Sequence, residues 1–342
     1  MSYICYHHND MDGKAAGNEV YNFLIRSGIK CFPSMFIMSG YDEPFKESDY
    51  NNKTVYIVDL SFTKTSIKKL FDICEGASSV IWIDHHASSK ECIEDDDIRK
   101  KLNNYSNLTY IINTNACGAL LSYLYFNNIF DLKHFNSEDS LDFEIEYNYA
   151  NQITVTDPEA ESNSTLIPKY LELVDKWDRW IYNDDNNPVY FNFGVQVHNS
   201  SLFAYLNKDA TEKTYNSRFW KAIKNNSYVE QILNEGITIK KYFDRQSGIN
   251  IGKRSYECEI EGYKVLVMNS EAGSSMAFGN KIKDYDICCL WRYNGNTGLY
   301  EYSIYSENEN VNCAAIATKI NPEGGGHPGA AGFSLDHLIF KK

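Results

Sequence analysis

The sequence predicts an α/β protein with an N-terminal parallel-sheet domain and flanking helices, a helical linker, and a smaller C-terminal mixed α/β domain. Three observations predict it. Apolar strand-like runs alternate with amphipathic helical runs through the first half, and the residues richest in chemistry stand just after those runs. Beyond the linker the pattern changes to paired strands separated by turns.

Strands are expected at residues 3–6, 55–59 and 80–84, alternating with helices at 14–26 and 65–74. Such alternation implies a parallel sheet wrapped by helices, whose ligands sit outside the C-terminal strand ends. A further helix runs from Asn115 through Ala119 and Tyr123, an acidic stretch with asparagines spans 136–148, and another helix covers 165–177. Residues 183–187, before Pro188, read as the exit from the first domain, and 219–243 has the apolar spacing of a long connecting helix. Residues 256–268 and 287–305 alternate like strands, with Asn294-Gly295-Asn296 as a hairpin turn, and 312–320 reads as a helix ending before a glycine run. The expected domains are 1–183, 184–247 as linker, and 248–342.

Composition narrows the class. The 342 residues are 43% hydrophobic, enough for two cored domains. The opening MSYICYHHND has no basic start followed by an apolar run, and no stretch approaches the roughly 20 apolar residues that span a bilayer. Nine cysteines without CxxC pairs fit buried thiols in a reducing compartment, so a soluble, cytoplasmic protein without membrane association is expected. A net charge of −13 argues against long nucleic acids, which are gripped by Lys and Arg over an extended surface. The 26 tyrosines bear on base stacking only where they line a cleft.

Chemistry concentrates at the strand ends. His8, Asp10 and Asp12 stand on alternate positions, so an extended backbone projects them to one side, where a mixed imidazole and carboxylate set favours Mn²⁺ over Ca²⁺. Taken alone the segment also fits a polar turn closed by Gly13, and it lacks the remaining ligands of a calcium loop. Asp59 ends a buried-type strand as a ligand or a helix cap. Asp84-His85-His86 ends another, and three ionisable groups buried together need a metal or its shell to satisfy them. In the second half, Glu323-Gly324-Gly325-Gly326-His327 lets backbone amides approach an anion, with His327 as a donor to phosphate.

His8/Asp10/Asp12, Asp59 and Asp84-His85-His86, in this order, resemble the first three motifs of the DHH phosphoesterase superfamily. The glycine run resembles the GGGH loop of its associated substrate domain, so the likeness covers most of the chain outside the linker. The resemblance implies two Mn²⁺ ions, with Mg²⁺ as a substitute, held by His8, Asp10, Asp12, Asp59, Asp84 and a fourth-motif aspartate. Asp175 is favoured for that last place; Asp178 and Asp157 are the alternatives. It implies that the metals activate water for attack on phosphorus while His85 or His86, beside Asp84, binds the phosphate or protonates the leaving oxygen. Gly324, Gly325, Gly326 and His327 would hold substrate from the second domain, with a hinge gating turnover. Relatives carry an arginine where Tyr305 stands here, and Arg292 is the candidate to compensate.

The Asn9-Asp10-Met11-Asp12-Gly13 form and the domain pairing look most like the nanoRNases, which remove mononucleotides from short RNA. Cyclic or linear dinucleotide phosphodiesterases, adenosine 3′,5′-bisphosphate phosphatases and a non-catalytic nucleotide sensor are the alternatives. A homodimer is left open.

Overall fold

The computed structural model of the chain describes residues 2–39, 45–129, 144–148, 152–156, 163–181, 185–205, 210–271 and 273–340. It divides into two compact units, Met1–Ile237 and Thr238–Lys342. The division falls inside one long helix, Asn226–Arg254.

The first unit is built on a five-stranded, all-parallel sheet. In sheet order the strands are Phe36–Met38, Tyr3–His7, Thr54–Val58, Ser79–Asp84 and Leu108–Ile112. Runs such as Val55-Tyr56-Ile57-Val58 are apolar at every position because both faces are covered. Tyr56, Val58, Ile83 and Ile111 pack into one core, whereas Val55, Ile57, Val80 and Trp82 pack into the other. The parallel register brings His8, Asp59 and Asp84 out together at the C-terminal end of the sheet, with Asn113 one residue further along.

Two features of this unit differ from the sequence reading. The helix expected over 165–177 begins only at Lys169, with Pro168 as its N-cap; Asn163–Leu166 is instead a strand. That strand joins Glu144–Tyr147 and Gln152–Thr156 in a small antiparallel sheet. Residues read as linker also contribute Phe191, Val195, Phe219, Trp220 and Ile232 to the first unit's core.

The second unit is a six-stranded mixed sheet. Its order is Ser255–Ile260, Tyr263–Asn269, Ile287–Asn294, Leu299–Tyr305, Ala330–Leu335 and Gly325–His327. Glu261 and Gly262, both at positive φ, turn the first hairpin tightly. The Cys313–Ile320 helix packs on the sheet, its start fixed by the Asn312 side chain accepting from the Ala315 amide at 3.0 Å. Among the described residues no helix is long and apolar enough to cross a membrane.

Candidate metal centre

Three strand ends and three helices supply the site. Asp10 caps the Met11–Arg26 helix by accepting from the Gly13 amide at 2.8 Å, and it pairs with His8 Nδ1 at 2.6 Å. The cap turns the chain so that Asp12, in the first turn of the helix, is buried. Its two oxygens accept from the Gly118 and Ala119 amides at 2.8 and 2.7 Å, at the start of the Gly118–Phe126 helix. Those amides carry the positive end of that helix, which favours a carboxylate there.

Asp59 follows the Thr54–Val58 strand at φ 55°, a left-handed conformation uncommon outside glycine. It is buried, and neither carboxylate oxygen has a hydrogen-bond partner among the described residues. His85 Nε2 is orphaned in the same way. That nitrogen lies 3.2 Å from an Asp59 oxygen, 3.2 Å from Asp178 Oδ2 and 3.5 Å from Asp12 Oδ2. Ligand atoms of Asp12, His85 and Asp178 lie within 4.8 Å of one another, and so do those of His8, Asp10 and Asp59 and those of Asp59, His85 and His86. Asp59 is common to the last two groups, and its carboxylate also faces His85 of the first.

The electrostatics describe crowded, buried carboxylates whose mutual repulsion the neighbouring histidines only partly offset. Burial and then Asp178 push Asp12 up to about 6, while burial and then Asp10 push Asp178 up to about 7. Burial and then Asp12 raise Asp59 well above the usual carboxylate range. Burial, followed by the neighbouring His86, lowers His85, so its imidazole is a neutral lone-pair donor. Buried acceptors converging with no donor between them are expensive unless a cation fills the centre. The donor set of carboxylates and imidazole fits one or two divalent ions of the Mn²⁺ type.

Two expected ligands stand elsewhere. Asp84 is fully buried, and its oxygens take His86 Nδ1 at 2.7 Å and the Ser89 hydroxyl at 2.5 Å. It orients His86 and is in none of the convergent groups among the described residues. Asp175, favoured as the fourth-motif ligand, is buried in a nest of donors. The Cys117 amide reaches Oδ1 at 2.6 Å, Arg179 binds both oxygens at 3.0 and 2.6 Å, and Tyr147 donates to Oδ2. Asp178, one turn later on the Lys169–Asp178 helix, is the one of the two that falls in a convergent group. Asp157 lies outside the described residues.

His86 is held differently from His85. Burial opposes its charge, but Asp84 outweighs burial and raises it to about 9, which leaves a cation at neutral pH. The sequence reading missed Cys117, Gly118, Ala119, Tyr147 and Arg179. The available signal was Cys117-Gly118 opening an apolar helix, and a glycine at a helix start marks close approach of another element.

In the second unit, Gly325 and His327 are exposed on the edge strand. Gly326 has φ 145°, and a Cβ there would meet Ala330 O at 2.5 Å; a Cβ on Gly324 would meet Ala317 O at 2.8 Å. Gly325 meets nothing within 4 Å, so packing does not demand its glycine. Tyr305 is buried against Cys288 and Ala330 on the neighbouring strands, and Arg292 Nε pairs with Glu301 at 2.6 Å on the surface.

Among solved structures, the chain superposes on the DHH domain of a protein described as a member of a ribosomal-protein family, with a TM-score of 0.53 and 12% identity, over 97% of this chain and 82% of that one. The chain has the fold of that DHH domain. Weaker overlays include a pGpG-specific phosphodiesterase from Vibrio cholerae, with TM-score 0.46, 14% identity and coverage of 98% and 93%. RecJ in complex with Mn²⁺ from Thermus thermophilus overlays with TM-score 0.45, 13% identity and coverage of 98% and 49%. No family model and no curated protein sequence matches the chain. In this DHH-type fold the convergent carboxylates stand where the parallel strands end, as the general rule for open α/β sheets requires.

Proposed function

We propose that this DHH-fold protein is a metal-dependent phosphoester hydrolase that degrades short oligoribonucleotides to mononucleotides. The observation that carries it is the orphaned Asp59 carboxylate facing an orphaned His85 Nε2, with Asp12 and Asp178 alongside. His8, Asp10 and Asp59 would hold one Mn²⁺, and Asp12, Asp59, His85 and Asp178 a second, with Mg²⁺ as a substitute. Bound divalent ions supply Lewis-acid charge that lowers the pKa of water and offsets charge developing on phosphate oxygens.

The chain's own groups do the rest. The Gly118 and Ala119 amides fix both oxygens of Asp12, so its orientation is set before substrate arrives. Asp84 keeps His86 protonated and pointed, which gives a donor for a phosphate oxygen or for the departing oxygen. In the second unit, the exposed Gly325 backbone and His327 offer donors to a phosphate. The net charge of −13 favours small anions over long strands, and nine unpaired thiols fit a cytoplasmic setting.

The test is to incubate the protein with Mn²⁺ and, separately, a linear dinucleotide, a longer RNA, a cyclic dinucleotide and adenosine 3′,5′-bisphosphate, and to chromatograph the products. Fastest turnover of the linear dinucleotide is expected. Preference for the longer RNA contradicts the substrate reading, and tight binding without hydrolysis of any of the four makes the protein a sensor.

A further inference from the structure

A cleft opens beside the metal centre within the first unit. Asp10, Asp12 and Asp178 form one side of it, and Met11, Val174, Trp177, Phe191 and Asn192 form the remainder. Its empty space is about 400 Å³, open solvent at the mouth included. We infer that this cleft seats a nucleobase of the substrate whose phosphate lies at the metal centre. The inference rests on the phosphoesterase reading and deepens it.

The lining chemistry selects the occupant. Among the described residues no lysine or arginine lines the cleft, so beyond the metal ligands nothing there pairs with a second phosphate. Apart from the carboxylates and Asn192, the lining is the Trp177 ring and the Met11 thioether, with the buried Phe191 and Val174. That composition suits a flat, uncharged, polarisable group. Asn192 supplies a neutral amide. No described residue hydrogen-bonds its amide, and an amide presents a donor and an acceptor side by side, as the edge of a base does. Among the described residues no tyrosine lines the cleft.

The local fold explains why these side chains meet. Trp177 and Asp178 are successive residues at the end of the Lys169–Asp178 helix, while Phe191 and Asn192 are successive residues of the Asn187–Val195 helix packed against it. Met11 lies between Asp10 and Asp12. Each group that touches the base would thus be adjacent in the chain to a proposed metal ligand, or on the helix packed against one. Base and phosphate are read in fixed register.

Calorimetric titration of the Mn²⁺-loaded protein tests this directly, with the four 5′-mononucleotides compared with ribose 5-phosphate, which has the phosphate and sugar but no base. The expected result is that the best mononucleotide binds about tenfold or more tightly than ribose 5-phosphate, the order of one base–aromatic contact. That ratio should fall towards one in both Trp177→Ala and Asn192→Leu; Asn192→Asp, which keeps shape but loses the donor, guards against a folding defect. Equal binding of all five ligands by the wild-type protein, or a ratio unchanged in the three variants, overturns the subsite. If a dinucleotide is hydrolysed while the ratio is one, the subsite falls and the enzyme stands. If no phosphoester is hydrolysed with Mn²⁺, the enzyme reading itself falls.

Discussion

A Cβ built on Gly118 would stand 2.7 Å from the Cβ of Asp59. The Gly118–Phe126 helix can therefore bring its first amides onto Asp12 only because that position has no side chain. Gly118→Ala must push the helix back or displace Asp59. Overpacking of this kind costs about 1–3 kcal/mol, and the expected result is a lower urea midpoint together with weaker Mn²⁺ binding. A variant with wild-type stability and wild-type metal affinity would show that the close approach is unimportant.

Asp175 and Asp178 should respond to amide substitution in opposite ways. Asp178→Asn removes one of several crowded carboxylates, so the metal-free protein should keep or gain stability while its thermal stabilisation by Mn²⁺ drops sharply. Asp175→Asn, or Arg179→Leu, breaks a buried and multiply bonded ion pair, which typically costs about 3–5 kcal/mol. Thermal melts with and without Mn²⁺ separate the two. Loss of the Mn²⁺ response in Asp175→Asn with stability intact would restore Asp175 as the ligand.

The difference between these two aspartates marks how far the sequence can be read. Asp10, Asp12, Asp59 and His85 are legible because each follows or ends a buried strand, and strand ends of a parallel sheet converge by construction. Asp175 and Asp178 lie one turn apart on a single helix. Which of them faces the centre is decided by Tyr147, Arg179 and the Cys117 amide, and two of those come from segments distant in the chain. Tyr147 was hidden in an acidic stretch read without secondary structure. The strand over Asn163–Leu166 was similarly masked by the helical signal that follows it, although Pro168 marks the boundary.

Acidity should weaken metal binding, and the sign follows from raised carboxylates. Asp12 at about 6 and Asp178 at about 7 bind protons in the folded, metal-free protein that the unfolded chain has already released. Their contribution to metal-free stability is present below the ordinary carboxylate pKa and is lost as pH rises through about 6 to 7. His86, also raised, adds a loss of the same sign at higher pH. Mn²⁺ displaces these protons, so its stabilising effect should be larger at about pH 8 than at about pH 5.5. Scanning calorimetry in chelator and in Mn²⁺ at the two pH values checks this, with Asp178→Asn expected to shrink the difference. An equal Mn²⁺ effect at both values would contradict the crowded-carboxylate description.

The glycine loop offers a contrast between packing and binding. Gly324→Ala should destabilise the second unit, because its Cβ would meet backbone at 2.8 Å. Gly325→Ala meets nothing, so its melting temperature should be unchanged while kcat/KM for a linear dinucleotide falls by about tenfold, through loss of close backbone approach to phosphate. Unaltered kcat/KM in Gly325→Ala would remove the loop from substrate binding.

The central claim is that Asp59 serves two metal ions at once, and counting bound ions tests it most directly. Metal-free protein titrated with Mn²⁺, with free ion followed by electron paramagnetic resonance, should bind two ions per chain, and Asp59→Asn should bind at most one, weakly. No Mn²⁺ bound by the wild-type chain, or two bound with equal affinity by Asp59→Asn, would contradict the account.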